Sequence, residues 1–254
     1  MTATTAAPDV ARLLAALDGV RDPELDEPIT SLGFVAACSI SADGDAEIRL
    51  RLPTYFCAPN FAYLMAADAF DAVTALPGVR AARVLLTDHF AADAINSGVA
   101  AQAGFVQSFS GEAAGELDEL RTDFLRKAVL AGTDQVCRAL HASDLVPAGA
   151  AGLERLRTLT LAEVPPCPAG DRLRRRRAEL GLPAGDDALL LIDPASGEPV
   201  NPDAVPMHLR RARLTAVSIE ANASICRGML RHRYHSPGLG ESGRPQPPPC
   251  EETP

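Results

Sequence analysis

The chain has 254 residues, of which 47% are apolar and 22% charged, a composition that supports a packed core and argues against wholesale disorder. Its formal net charge of −9 argues against nucleic acid as a general partner. No run approaches the roughly 18 apolar residues of a membrane helix, and residues 1–8 lack the features of a signal peptide, so we expect a cytoplasmic protein without membrane contact.

The first 106 residues show an ordered series of helical and strand patterns. Apolar residues spaced three and four apart predict a first helix with Val10, Leu13, Leu14 and Leu17 on its buried face. Strands follow at about 34–40 and 46–52 around an Asp-Gly turn, then a helix at 60–76 with Asn60 as N-cap, a strand at 79–87 and a short helix at 93–103. Strict alternation in the second strand favours an antiparallel sheet with one buried face.

The second half is predicted to be mostly helical. Residues 112–140 have a helical pattern with a candidate break near 132–134, residues 188–192 suit a short buried strand that returns near 198–200, and 217–234 suit a last helix. The Pro/Gly-rich residues 236–254 have the composition of a disordered tail. We therefore predict an α/β (α+β) protein: a two-layer α-β-β-α-β sandwich over residues 1–107, a mostly helical region over 108–235 and a tail over 236–254.

The stretch from Leu50 to Asn60 is the strongest functional candidate, because a strand pattern ends there, a proline-broken turn follows and a helix begins. The turn holds Cys57. A thiol at a helix N-terminus faces unpaired backbone N–H groups that favour the thiolate, the form that attacks electrophiles and binds soft metals. The alternative is that Cys57 is a small buried apolar residue, which is the commoner role of cysteine.

Four further features are weaker candidates. Asp22 and Glu24 lie in a proline-limited acidic turn that either presents fixed carboxylates or is merely solvated. His89 follows a strand and suits either a site or, more commonly, the surface. Cys226, His232 and His235 form a C-x5-H-x2-H pattern, a weak metal candidate without an evident fourth ligand. The arginine run at 172–177 suits phosphate, an acidic protein face or, more commonly, a solvated helix face. The six cysteines include no CxxC pair, which argues against a disulfide framework in a reducing compartment.

An ordered set of motifs carries a family resemblance. The set comprises the Asp-Pro-Glu turn, the Leu-Gly-Phe-Val strand start at 32–35, the hairpin, the Thr54-x-x-Cys57 turn, the Leu-Pro-Gly-Val stretch at 76–79 and the Ala-Gly-Phe at 103–105. Over residues 8–106 the chain resembles the iron–sulfur cluster assembly domain family of SufT- and PaaD-like proteins. The resemblance implies that Cys57 is the reactive cysteine and that Asp22, Glu24 and Thr54 contact the same metal, cluster or client.

The resemblance also implies what the protein does. We expect a bacterial accessory factor, not an enzyme, that assembles or matures an iron–sulfur or di-iron centre in a client metalloenzyme, with an oxygenase as the client suggested by analogy. Transient iron or an iron–sulfur cluster is the candidate cofactor, the iron–sulfur assembly machinery is a candidate partner, and a homodimer is a further candidate. The alternatives are a non-catalytic scaffold module for an oxygenase complex and a thiol enzyme that uses a base such as His89.

Overall fold

The computed structural model describes residues 9–113 and 115–234, which fold into two compact units. One unit consists of Met1–Leu117 together with Asn222–Pro254, and the other consists of Asp118–Ala221. The first unit therefore takes its residues from both ends of the chain. The predicted domain boundaries at residues 107 and 235 stay predictions, and the predicted tail at 236–254 lies outside the described residues.

The α+β class and the helical C-terminal region are confirmed. The helices are α1 (Val10–Leu17), α2 (Pro59–Thr74), α3 (Ala92–Ala100), α4 (Phe105–Ser108), α5 (Asp118–Ala142), α6 (Ala150–Thr158), α7 (Pro168–Glu179) and α8 (Val205–Tyr234). The strands are β1 (Val35–Ile40), β2 (Asp45–Leu50) and β3 (Ala81–Leu86), in the spatial order β1-β2-β3. Across the described residues, no helix combines the length and the apolar character that crossing a membrane requires.

The sheet is mixed, and the prediction of an antiparallel sheet is wrong. β1 pairs with β2 antiparallel, but β2 pairs with β3 parallel. The 16-residue helix α2 carries the chain back to the start of the sheet, which makes the next strand parallel. Side-chain alternation shows only that one face is buried and one is wet, and both strand directions satisfy that pattern.

Helices α1, α2 and α3 contribute to one core with the buried face of the sheet. Residues of β2 alternate as predicted, with Ala46, Ile48 and Leu50 buried. In β1 a register irregularity between Val35 and Ala37 interrupts the alternation, and Phe34, Val35 and Cys38 are the buried residues of this stretch. The N-cap of α2 is Ala58 rather than Asn60, because Pro59 takes the first helical position.

The second unit departs from two predictions. Helix α5 runs through residues 132–134 without a break, and the Thr133 hydroxyl donates to the carbonyl of Val129 one turn earlier instead of capping a new helix. The predicted strand at 188–192 forms only isolated bridges, Leu189 with Thr160 and Ile192 with Pro199.

Two residues of the arginine run are structural rather than solvated or phosphate-binding. Arg177 is fully buried and donates to the carbonyls of Leu189 and Leu190. Arg174 donates to the carbonyl of Leu161 at 2.7 Å and pairs with Asp186 at 3.0 Å. Through these contacts, the two guanidinium groups attach residues 186–190 to helix α7.

Candidate functional site

The fold gathers two turns at one end of the sheet in the first unit. Strands β2 and β3 are parallel, so their carboxyl ends meet, and the segments that follow them lie side by side. The segment after β2 carries Cys57, and the segment after β3 carries His89. The antiparallel strand β1 begins at the same end, where the Arg51 N–H donates to the carbonyl of Phe34 at 2.8 Å. We call this region the Cys57 end of the sheet.

Cys57 lies in a turn whose shape is set by its own neighbours. It immediately precedes Ala58, the N-cap of α2, and its side chain is half-buried. The Thr54 hydroxyl lies 3.3 Å from the Cys57 sulfur and also accepts from the Phe56 N–H at 3.2 Å. Thr54, expected to contribute to the site, therefore contacts the thiol directly.

The His89 side chain holds the backbone of the Cys57 turn through hydrogen bonds. Its Nδ1 accepts from the Ala91 N–H at 3.2 Å, so Nε2 carries the proton and donates to the Cys57 carbonyl at 2.8 Å. The ring is only 4% exposed, so the interpretation of His89 as a surface histidine is wrong. Burial lowers the pKa of His89, with a smaller contribution from the charge of Arg233, which keeps the ring neutral. Both ring nitrogens face backbone groups, so His89 positions Cys57 rather than serving its sulfur as a base.

The acidic turn has one buried and one half-buried carboxylate. Oδ1 of Asp22 accepts from the N–H groups of Glu24 and Leu25 at 2.9 and 2.8 Å. These bonds favour the charged form, yet burial outweighs them and raises the pKa of Asp22 to about 6. The side chain is 7% exposed. The turn is therefore not simply solvated, and Asp22 is placed to exchange a proton near neutral pH.

The end of α8 brings a second thiol to this region. Cys226 packs against the same core as Cys57, and the Asn222 side chain, one turn earlier, donates to Glu24 at 3.2 Å. Burial, with the nearby charges of Asp22 and Cys57, raises the pKa of Cys226 to about 11, so this group is a neutral thiol at pH 7.

The weak metal candidates are not gathered into one cluster by the described residues. His232 is exposed, whereas Cys226 faces the core, and His235 lies outside the described residues. Within 9–113 and 115–234, no group of three or more His, Cys, Asp and Glu residues is placed to hold a metal ion. The pattern at 226, 232 and 235 therefore stays a prediction.

Aromatic side chains form an exposed cluster beside Cys57. Phe56 is 76% exposed, and Tyr55 and Phe90 are about half exposed. Their rings pack on one another, with centroids 5.0 Å apart for Tyr55 and Phe56 and 5.9 Å apart for Phe56 and Phe90. The sequence analysis did not identify Phe90 as part of this cluster. Phe90 follows His89 and reaches the other two rings because β3 runs parallel to β2, a strand direction that the sequence pattern did not predict.

Comparison with known proteins gives one match. Residues 11–86 match the family model described as iron-sulfur cluster assembly protein, and this range contains Asp22, Glu24, Thr54 and Cys57. No curated protein and no solved structure matches the chain. The match supports a role in iron–sulfur cluster assembly and the involvement of iron or an iron–sulfur cluster. Residues 11–86 therefore form an iron–sulfur cluster assembly domain in the N-terminal part of the chain.

Proposed function

We propose that the protein is a SufT/PaaD-like accessory factor that matures an iron–sulfur or di-iron centre in one client metalloenzyme and acts through Cys57. The protein is bacterial and cytoplasmic in this proposal, and it performs no chemistry of its own on a small substrate. A bacterial oxygenase is the proposed client, by analogy with the motif set. The arrangement around Cys57 carries the proposal: a half-buried thiol on a backbone held by a buried histidine.

Rigid backbone with a partly accessible sulfur suits transfer rather than storage. A storage site needs three or four ligands at fixed distances. The described residues offer no group of three, so Cys57 alone supplies too few ligands to retain iron or a cluster. The remaining ligands then come from the client, or from Cys57 of a second copy of the chain. The cargo is held only while the partner is bound.

Asp22 supports this role through its proton. A carboxyl with a pKa of about 6 is partly protonated in the cytoplasm. When a client thiol or an iron-bound group approaches, Asp22 can take up a proton as a carboxylate or release one as an acid. Glu24, which the Asn222 side chain holds in place, adds negative charge beside it.

Anaerobic reconstitution with ferrous iron and sulfide tests the proposal, with and without the purified apo-client. The wild type is compared with the variants Cys57→Ser and Cys167→Ser. Cys167 is a matched control because it is equally half-buried, lies in the other unit, and accepts from the Gly170 N–H, a bond that serine reproduces. Iron content and visible absorbance of the client are measured after separation.

We expect Cys57→Ser to lower the iron content of the client, although the circular dichroism spectrum of the variant itself should match that of the wild type. Cys167→Ser should load the client normally. Full loading by the Cys57→Ser variant contradicts the role of Cys57.

The aromatic cluster favours a second function, a scaffold that docks an oxygenase subunit without handling metal. Exposed aromatic rings are the residues that protein interfaces use as anchors. If the scaffold function is correct, Phe56→Ser abolishes co-purification of the client, and Cys57→Ser leaves client loading unchanged. Loss of loading in Cys57→Ser with binding retained favours the accessory factor instead.

A further inference from the structure

The last turns of α8 lie across the Cys57 end of the sheet. Ala223 and Leu230 are buried in the core of the first unit, whereas Ile225 and Met229 on the other side of the helix are exposed. Leu230 packs over Gly33, where an added Cβ would lie 3.2 Å from its Cδ2. Residues 222–234, which we call the covering segment, thus use one face to close the first unit.

Polar contacts attach the covering segment to the first unit at two places. At the acidic turn, Asn222 donates to Glu24 and Arg227 forms an ion pair with Glu27. Beyond it, Arg233 donates to the carbonyls of Leu52 at 3.1 Å and Asp88 at 2.7 Å.

Cys226 of the segment packs against the same core as Cys57. Asp88, whose carbonyl accepts from Arg233, directly precedes His89, whose ring donates to the Cys57 carbonyl, so the segment passes close to that turn. The Tyr234 hydroxyl completes the contact by donating to Asp88 at 3.0 Å.

The surface beneath the segment is acidic, and the segment meets it with arginine. The acidic turn and Asp88 supply the carboxylates, while Arg227 and Arg233 supply the cations. Charge complementarity of this kind sets the choice of partner and the rate of encounter more than it sets affinity. The surface is therefore one that accepts an arginine-bearing helix with a small apolar face, and the covering segment is an example of such a helix on the same chain.

We propose that the covering segment occupies the surface through which the client reaches Cys57, and that the client presents an arginine-bearing amphipathic helix that displaces it. This inference rests on the proposed function, because the client is defined by it. Free protein keeps Cys57 partly covered, and a client with the matching helix gains access by competition. The covering segment also makes the protein selective among partners, because a partner without arginines at this spacing does not replace Arg227 and Arg233.

A charge-swap series tests the cover in the full chain. The variants are Glu27→Arg, Arg227→Glu and the double variant with both changes, and the readout is the rate at which iodoacetamide alkylates Cys57 at fixed pH, measured by peptide mass spectrometry. Arg80→Glu is the matched control, because it breaks the ion pair with Asp45 at the opposite end of the sheet.

We expect each single variant to be alkylated about tenfold faster than the wild type, the effect of losing one charge-assisted bond. The double variant should return to within about twofold of the wild type, and Arg80→Glu should match it. Wild-type rates in both single variants overturn the proposal. Failure of the double variant to restore protection also overturns it, because the singles would then act by unfolding. If a single variant does not fold, Asn222→Ala decides in its place, with faster alkylation expected.

A synthetic peptide tests recognition of the helix itself. A peptide with the sequence of residues 222–234 should slow alkylation of Cys57 in the Arg227→Glu variant, and the same peptide with alanine at both arginine positions that contact the acidic surface should not. Equal effects of the two peptides overturn the arginine requirement. No iron or client enters these assays, so failure of Cys57→Ser to impair client loading refutes the proposed function without touching this result.

Discussion

The substitution His89→Ala tests whether the backbone of the Cys57 turn is held by the buried imidazole. The variant loses the 2.8 Å bond from Nε2 to the Cys57 carbonyl and the 3.2 Å bond from the Ala91 N–H to Nδ1. Each bond contributes about 1 kcal/mol, and a partner left buried without a bond adds about 1 kcal/mol more. We therefore expect the free energy of unfolding of the first unit to fall by about 3 kcal/mol.

Urea unfolding followed by circular dichroism measures the global effect, and native-state hydrogen exchange measures the local one. The amide of Ala91 should lose protection specifically, since it donates to the imidazole nitrogen. His141→Ala is the control, because the His141 ring bonds to the Val146 carbonyl at 2.9 Å and lies in the other unit. We expect it to cost at most about 1 kcal/mol. Unchanged stability together with unchanged protection of Ala91 in His89→Ala would refute the role we give to the imidazole.

The same histidine sets a pH dependence. Its pKa is lowered in the folded state, so the unfolded chain takes up a proton first as pH falls through about 6.5. The contribution of His89 to stability is therefore fully present above that pH and is lost as pH falls toward its folded pKa. This dependence of the free energy of unfolding on pH should disappear in a His89→Gln variant, because the glutamine side chain stays neutral.

Three other predictions concern buried groups. The pKa of Asp22 is raised to about 6 in the folded protein, so the contribution of Asp22 to stability falls as pH rises from about 4 to 6. Asp22→Asn should therefore raise the free energy of unfolding at pH 8 by about 2 kcal/mol in urea titrations. Leu230→Ala should destabilise the first unit by about 3 kcal/mol, whereas Leu214→Ala, at a position that is mostly exposed, should cost under about 1 kcal/mol in the same assay. Arg177→Met should cost about 3 kcal/mol because the carbonyls of Pro183, Leu189 and Leu190 lose this donor, and an unchanged urea midpoint for the second unit would contradict this.

The order of helices and strands in the first unit was predictable because buried residues recur in the sequence with the period of the element that carries them. Ala46, Ile48 and Leu50 alternate, and each is buried. Strand direction was not predictable from that pattern, because it depends on where α2 returns the chain. The same limit explains the second unit, where the apolar run at 188–192 predicts burial correctly but not a strand. Its backbone instead accepts a hydrogen bond from the guanidinium of Arg177 and pairs with other segments only through isolated bridges.

The candidate site was predictable only where its members are close in sequence. Thr54 and Cys57 lie in one turn, and the hydroxyl contacts the sulfur as a local pattern suggests. His89 contacts Cys57 across 32 residues, and Arg233 reaches the Leu52 carbonyl across 181 residues. No spacing rule relates such pairs, since the contact depends on the parallel ends of β2 and β3 and on the path of α8.

The extent of the family match separates two kinds of residue at this site. Cys57 and Asp22 lie within residues 11–86, whereas His89 and the covering segment lie outside them. The matched residues include the Cys57 thiol and the Asp22 carboxyl, whose pKa is raised to about 6. The unmatched residues include His89, which holds the Cys57 backbone, and the covering segment, which in our proposal controls access of the client to Cys57. Substitutions in 222–234 should therefore change how readily the client reaches Cys57 without changing the thiol itself, whereas substitutions at Cys57 should abolish loading of the client.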